Sequence, residues 1–253
     1  MIISVINRKG GVAKTVSAVN LAAIYGHNGF KVLLIDVDAQ MNASSYLGLY
    51  GGKGSTTYEL LCEDAEIEDV IHNTGICGMD MIPAGMDLDL TESDYSLYEK
   101  EYVLKHKLES VKDKYDYIII DCPAARNSFT KNALAASDYV ILPCEANEFC
   151  IEGLGAMYDF ANKVKCEINL NLKIAGVFFT KKKRTAAQKA YAETFRKELD
   201  CYIYLETEIR EAAAVERSQN AHKPLIIVYP KAPVTQDYIA LAKELDTIMK
   251  KEK

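Results

Sequence analysis

Short runs of consecutive apolar residues alternate along the chain with longer stretches in which apolar residues recur at helical spacing. The runs at 2–6, 31–35, 79–82, 117–120, 139–142, 174–179 and 225–228 have the length of strands. Several are apolar at nearly every position, as expected for strands covered on both faces. Between them, 16–26, 97–112 and 186–199 read as helices. A last helix over about 233–250 puts Tyr238, Leu241, Ala242, Leu245, Ile248 and Met249 on one stripe. This alternation predicts an α/β fold, a mostly parallel β-sheet sandwiched by helices. No repeat or linker interrupts it, and the glycine-rich stretch 48–57 is too short to be a domain boundary. A single domain over 1–253 is expected.

Composition narrows the class. At 49% hydrophobic and 26% charged residues over 253 positions, the chain is neither disordered nor fibrous. No apolar run approaches the ~18 residues of a membrane span. The opening Met1-Ile2-Ile3-Ser4 has no basic region ahead of an apolar one, so no signal peptide is expected. Seven cysteines, odd in number and without a CxxC pair, argue against a zinc ribbon or a CxxC-bridged cluster and for a reduced, cytosolic setting.

A net charge of −6 argues against global attraction to nucleic acid, but the charge is unevenly spread. Residues 59–101 are densely acidic, with Lys100 as their one lysine or arginine. Residues 181–197 carry Lys181, Lys182, Lys183, Arg184, Lys189, Arg196 and Lys197 against Glu193 alone. That stretch is either a solvated helix face or a surface for phosphates.

The chemistry concentrates after the first strand. Asn7-Arg8-Lys9-Gly10-Gly11-Val12-Ala13-Lys14-Thr15 leads from strand to helix, the setting of a phosphate-binding loop. Its backbone N–H groups would cradle phosphates, with Lys14 on the β/γ oxygens and the Thr15 hydroxyl on Mg²⁺. The strict G-x-x-x-x-G-K-[ST] pattern is broken at Arg8 and Ala13. Asp121 ends a buried apolar strand, where a carboxylate is costly without a partner such as hydrated Mg²⁺. Asp36 and Asp38 follow another such strand at spacing two.

Lys9-Gly10-Gly11-Val12-Ala13-Lys14-Thr15 resembles the deviant Walker A motif of the ParA/MinD ATPases. Asn20-Leu21-Ala22-Ala23, the run from Gly29 through Asp36-Val37-Asp38-Ala39-Gln40, and Met79-Asp80-Met81-Ile82-Pro83-Ala84 resemble further family segments. So do Tyr115 through Asp121-Cys122-Pro123, Asn132-Ala133-Leu134, Pro143 with Glu152-Gly153-Leu154, Lys223-Pro224 and Tyr229-Pro230. The small Soj-like ParA proteins resemble the chain most. Departures are Ala13 for a glycine, Val16 for a hydroxyl residue, Ala39 for a proline and Ala124-Ala125-Arg126 for a turn motif.

The resemblance implies a P-loop ATPase of the deviant Walker A type that takes ATP and Mg²⁺. It implies nucleotide contacts from Lys9, Gly10, Gly11, Val12, Ala13, Lys14, Thr15 and Val16, and a metal site from Thr15, Asp36 and Asp121. Lys9, Lys14 and Asp38 would be catalytic, with Lys9 reaching a partner subunit's phosphates and Asp38 orienting the attacking water. It implies an ATP-dependent homodimer, cytoplasmic and nucleoid-associated, that binds non-specific DNA and is stimulated by a ParB-like partner. The basic residues 181–197 would hold DNA, or 181–184 would lie near the nucleotide base. The alternatives are a MinD-like membrane-associated regulator, suggested by the C-terminal stripe and the terminal lysines, and a nucleotide-binding scaffold with decayed hydrolysis.

Overall fold

The computed structural model describes residues 1–50, 55–85, 87–88, 101–147, 150–183, 185–198 and 202–251. Seven strands form its sheet: β1 (Ile2–Val5), β2 (Val32–Asp36), β3 (His72–Ile76), β4 (Met79–Ile82), β5 (Tyr117–Asp121), β6 (Tyr139–Glu145) and β7 (Lys173–Thr180). Their order is β3-β4-β2-β5-β1-β6-β7, parallel throughout except for β3, which pairs antiparallel with β4 at one edge.

The apolar runs resolve into two faces of period two. Leu33, Ile35, Ile118, Ile120, Val140 and Leu142 point into one core, and Val32, Leu34, Ile119 and Ile141 into the other. The first core lies under α3 (Thr57–Cys62), α5 (Val103–Leu108), α6 (Ser128–Ala136) and α7 (Cys150–Glu167). The second lies under α1 (Lys14–His27) and α11 (Pro233–Lys251). The remaining helical turns are α2 (Asn42–Leu47), α4 (Ile67–Val70), α8 (Ala186–Glu198), α9 (Ala213–Asn220) and α10 (Leu225–Val228).

Helix α1 is buried on almost every side, from Val16 to Gly26. Gly26 is there because its Cα faces the β3–β4 turn: a Cβ would come within 2.5 Å of the Cys77 carbonyl. Tyr25 on α1 stacks on Tyr117 of β5 with centroids 4.0 Å apart, and the Tyr117 hydroxyl donates to Asp246 of α11 at 2.8 Å. Burying each ring is worth about 2–3 kcal/mol, and the stack locks α1, β5 and α11 together. On the predicted C-terminal stripe, Tyr238, Leu241, Ala242, Leu245 and Met249 are buried and Ile248 packs against them. The stripe is core.

Two expectations need correction. Residues 225–228 are the one-turn helix α10, not a strand. Both sheet edges are already occupied, by β3 and by an extended segment at 203–211 that hydrogen-bonds along β7. The Leu225 N–H instead donates to Asn20 Oδ1 at 2.9 Å, which docks the turn on α1. The helix expected over 97–112 is Val103–Leu108 followed by a 3₁₀ turn at Lys112–Lys114, and 97–100 lie outside the described residues. Strand β3 went unpredicted because its burial alternates only weakly, between half-buried and exposed positions.

Candidate functional site

The C-terminal ends of β2, β5 and β1 lie side by side, and the loops leaving them converge at the sheet's carboxyl edge, where open α/β sheets bind ligands. The loop after β1 is held from several directions. The Asn7 side-chain amide donates to the Pro143 carbonyl at 2.7 Å, while its Oδ1 accepts from Lys9 N–H at 3.0 Å. Thr180 Oγ1 lies 3.0 Å from the Val12 carbonyl and donates to it. Gly11 and Ala13 both have positive φ, +76° and +65°. Ala13 thus adopts the left-handed backbone suited to the glycine it replaces, at a cost of about 1–2 kcal/mol. It is also the N-cap of α1, makes no side-chain cap, and is followed by no acidic residue in the first turn. The leading N–H groups of α1 are left for an anion.

The two loop lysines differ. Lys14 is buried, with Nζ 3.4 Å from the Lys9 carbonyl, and burial lowers its pKa against the opposing pull of Asp121 and Asp38. Lys9 leans away from its own loop, its Nζ donating to Asn147 Oδ1 at 2.9 Å beyond β6.

The three carboxylates also differ. Asp36 and Asp121 are in register on β2 and β5, and both are fully buried. Asp36 Oδ2 accepts from Ser44 N–H at 2.9 Å and Ser44 Oγ at 2.7 Å, and Oδ1 from Asp38 N–H at 3.1 Å. Burial still raises its pKa to about 6. Asp121 has no hydrogen-bond partner at normal geometry on either oxygen. Burial pushes its carboxyl well up, Asp36 adds to this, and the nearby Thr15 hydroxyl and Lys14 only partly offset it. Asp38 lies past the end of β2, where a turn closed by Met41 N–H on its carbonyl takes it out to the cavity. Its Oδ1 accepts from Gln40 N–H at 3.0 Å.

These groups open on a cavity of about 1150 Å³, ample for a nucleoside triphosphate. Gly10, Gly11, Ala13, Lys14, Thr15 and Val16 line one wall with Asp38, whereas Val12 is buried behind the loop. The opposite wall is the segment 209–213 with Glu216 and Gln219 of α9, which sequence reasoning missed: it carries no motif and is brought in by its pairing with β7. Ser44 and Thr180, which anchor Asp36 and the loop, were missed as well. Thr180 stands at the end of β7, whereas Ser44 lies within α2 with no sequence signal of its own.

Of the basic residues, Lys181 lines the cavity instead of facing outward. Lys182 pairs with Glu208 and Lys183 with Glu211, while Lys197 is exposed. Arg184 lies outside the described residues, as do the side chains of Lys189 and Arg196. Among the described residues no group of three or more His, Cys, Asp or Glu side chains could hold a metal unaided. The donor set fits magnesium instead, which is usually bound by one or two carboxylates together with substrate phosphates. The orphaned Asp121 beside the Thr15 hydroxyl supplies such a place. No helix among the described residues is long and apolar enough to cross a membrane.

A family model described as "AAA domain" matches residues 1–174. The chain is 36% identical to the sporulation initiation inhibitor protein Soj of Bacillus subtilis over 247 residues, 96% of this chain and 97% of that one. It is 42% identical to the chromosome-partitioning ATPase Soj of Treponema pallidum over 176 residues, 69% of each. Among solved structures, the cobyrinic acid a,c-diamide synthase of Mycobacterium smegmatis with bound ATP analogue and magnesium superposes with a TM-score of 0.86. It is 26% identical, and the match covers 100% of this chain and 96% of that one.

Proposed function

The chain belongs to the ParA/Soj family of ATPases, and from that premise we propose that it is a slow partitioning ATPase whose ATP-bound dimer holds duplex DNA without sequence preference. The observation that carries the reading is the buried, unpartnered Asp121 facing Thr15 beneath a cavity of nucleotide size. A buried carboxylate that Thr15 and Lys14 compensate only in part costs stability and makes sense as half of a cation site.

The residues divide the work as follows. Backbone N–H groups from Gly10 to Thr15 and the start of α1 hold the phosphates, with Val16 at the cavity wall. Lys14, already desolvated, neutralises the β/γ oxygens at short range. Thr15 and Asp121 hold the cation, and Asp36 stands behind Asp121, fixed by Ser44. Magnesium, when bound, would neutralise charge that develops on the phosphates. Asp38, at the cavity wall, orients the attacking water. Lys9 releases Asn147 and crosses to a second copy's phosphates, where a positive charge acts as an arginine finger does.

The DNA surface is drawn from Lys182, Lys183 and Lys197, together with Arg184, Lys189 and Arg196. Exposed ion pairs such as Lys183–Glu211 are worth little, so a DNA phosphate can compete for the lysine. A ParB-like partner would stimulate hydrolysis, and the protein would work in the cytoplasm, on the nucleoid when ATP-bound. The C-terminal stripe, one of the two features that suggested a membrane regulator, is buried, which favours the partitioning reading. The test is phosphate release with and without random duplex DNA. Turnover below about 1 s⁻¹ that depends on Asp38 is expected, with ATP-dependent DNA binding that falls steeply with salt. ATP binding with no phosphate release would favour the scaffold reading.

A further inference from the structure

We propose that Lys181 is a third lysine of the nucleotide site, making a direct charge-assisted contact to the phosphates of the bound nucleotide. The proposal deepens the ATP reading above and rests on it.

Strand β7 ends at Thr180, whose hydroxyl lies 3.0 Å from the Val12 carbonyl and 3.3 Å from the Cys144 carbonyl. The strand end is thereby tied to the phosphate loop. The next residue turns sharply: Lys181 has φ +51°, a left-handed conformation that non-glycine residues adopt only when their surroundings enforce it. Here they do. Gln188 Nε2 donates to the Lys181 carbonyl at 3.1 Å, Lys182 N–H to the Ile209 carbonyl at 3.0 Å, and Glu211 N–H to the Lys182 carbonyl at 3.1 Å.

The turn aims the side chain at the loop. Lys181 Nζ is 3.9 Å from where a Cβ on Gly11 would stand, over the part of the loop whose backbone is to meet phosphate. It lines the cavity and is half-buried. Its neighbours Lys182 and Lys183 are paired with Glu208 and Glu211, whereas among the described residues Lys181 makes no ion pair. A cation held by strained backbone beside a glycine loop at a helix N-terminus adds to the field that attracts a polyanion. Lys181 therefore leaves the group of DNA-binding candidates.

The experiment is a fluorescence anisotropy titration of the whole chain with a ribose-labelled non-hydrolysable ATP analogue and magnesium. Lys181→Met removes the charge at similar bulk. Lys181→Asn removes it with a residue that tolerates left-handed backbone, so that loss of fold is not the cause. Both are expected to weaken binding about tenfold, while Lys181→Arg keeps affinity within about threefold. Equal affinity for the unaltered chain and both neutral variants would overturn the proposal while leaving the ATP reading intact. No binding by the unaltered chain would remove both.

Discussion

Asp36 and Asp121 lie side by side in register on adjacent strands, yet among the described residues the well-formed hydrogen bonds go to Asp36. Ser44 and the Asp38 N–H satisfy Asp36, and Asp121 receives none at normal geometry. The first carboxylate anchors the fold, and on the proposed reading the second takes a ligand.

Asp121→Asn is therefore expected to stabilise the nucleotide-free protein at pH 7 by about 1–3 kcal/mol, because a buried carboxyl that ionises only at a cost gives way to a neutral amide. The advantage has a defined pH dependence. The folded-state pKa of Asp121 lies above its unfolded value, so as pH falls from 7 the folded chain takes up the proton first and the penalty disappears. Urea unfolding of both proteins at pH 7 and pH 5 checks this: the gap should narrow at the lower pH. A gap that widens on acidification would show that Asp121 is already compensated. The same variant should lose the dependence of ATP binding on magnesium.

Ala13→Gly relieves the left-handed strain of the N-cap, worth about 1–2 kcal/mol, and adds the unfolded-chain freedom of glycine, worth about 0.4–1 kcal/mol the other way. A net gain of about 0.5–1 kcal/mol in unfolding free energy is expected. A loss would mean that Ala13 makes contacts that outweigh its backbone.

Asp38→Ala should leave ATP binding near that of the unaltered chain and lower turnover at least a hundredfold, within the ~10²–10⁴ range of a group that positions a proton acceptor or water. Among the described residues its carboxylate accepts a hydrogen bond from the Gln40 N–H, which solvent can satisfy in the variant. Steady-state phosphate release at saturating ATP reads the effect. Unchanged turnover would assign water positioning elsewhere.

Much of this was legible in the residues. The strand runs predicted six of the seven strands because buried parallel strands are apolar on both faces, and the loop, Asp36, Asp38 and Asp121 all lie at or just past strand ends. What stayed hidden depends on long-range pairing. Residues 209–213 reach the cavity only because the segment 203–211 lies along β7. Leu225–Val228 is β-rich in composition yet helical, since Asn20 takes its first N–H. The basic stretch looked uniform, but its described side chains go three ways: Lys181 inward, Lys182 and Lys183 to glutamates, and Lys197 to solvent.

Lys9→Ala is expected to leave binding of ATP by a single chain in place and to abolish ATP-dependent pairing, because its ammonium is held by Asn147 outside its own phosphate loop. Sedimentation with a non-hydrolysable ATP analogue distinguishes the outcomes. Doubling of mass by the variant as well as by the unaltered chain would take Lys9 out of the dimer contact.

The most direct measurement of the whole account is calorimetry of the nucleotide-free chain with ATP, with and without magnesium, alongside Lys14→Ala. One saturable site per chain, weakened when magnesium is withheld and lost in Lys14→Ala, is the predicted result. No heat from well-folded protein, or undiminished binding by Lys14→Ala, would contradict it.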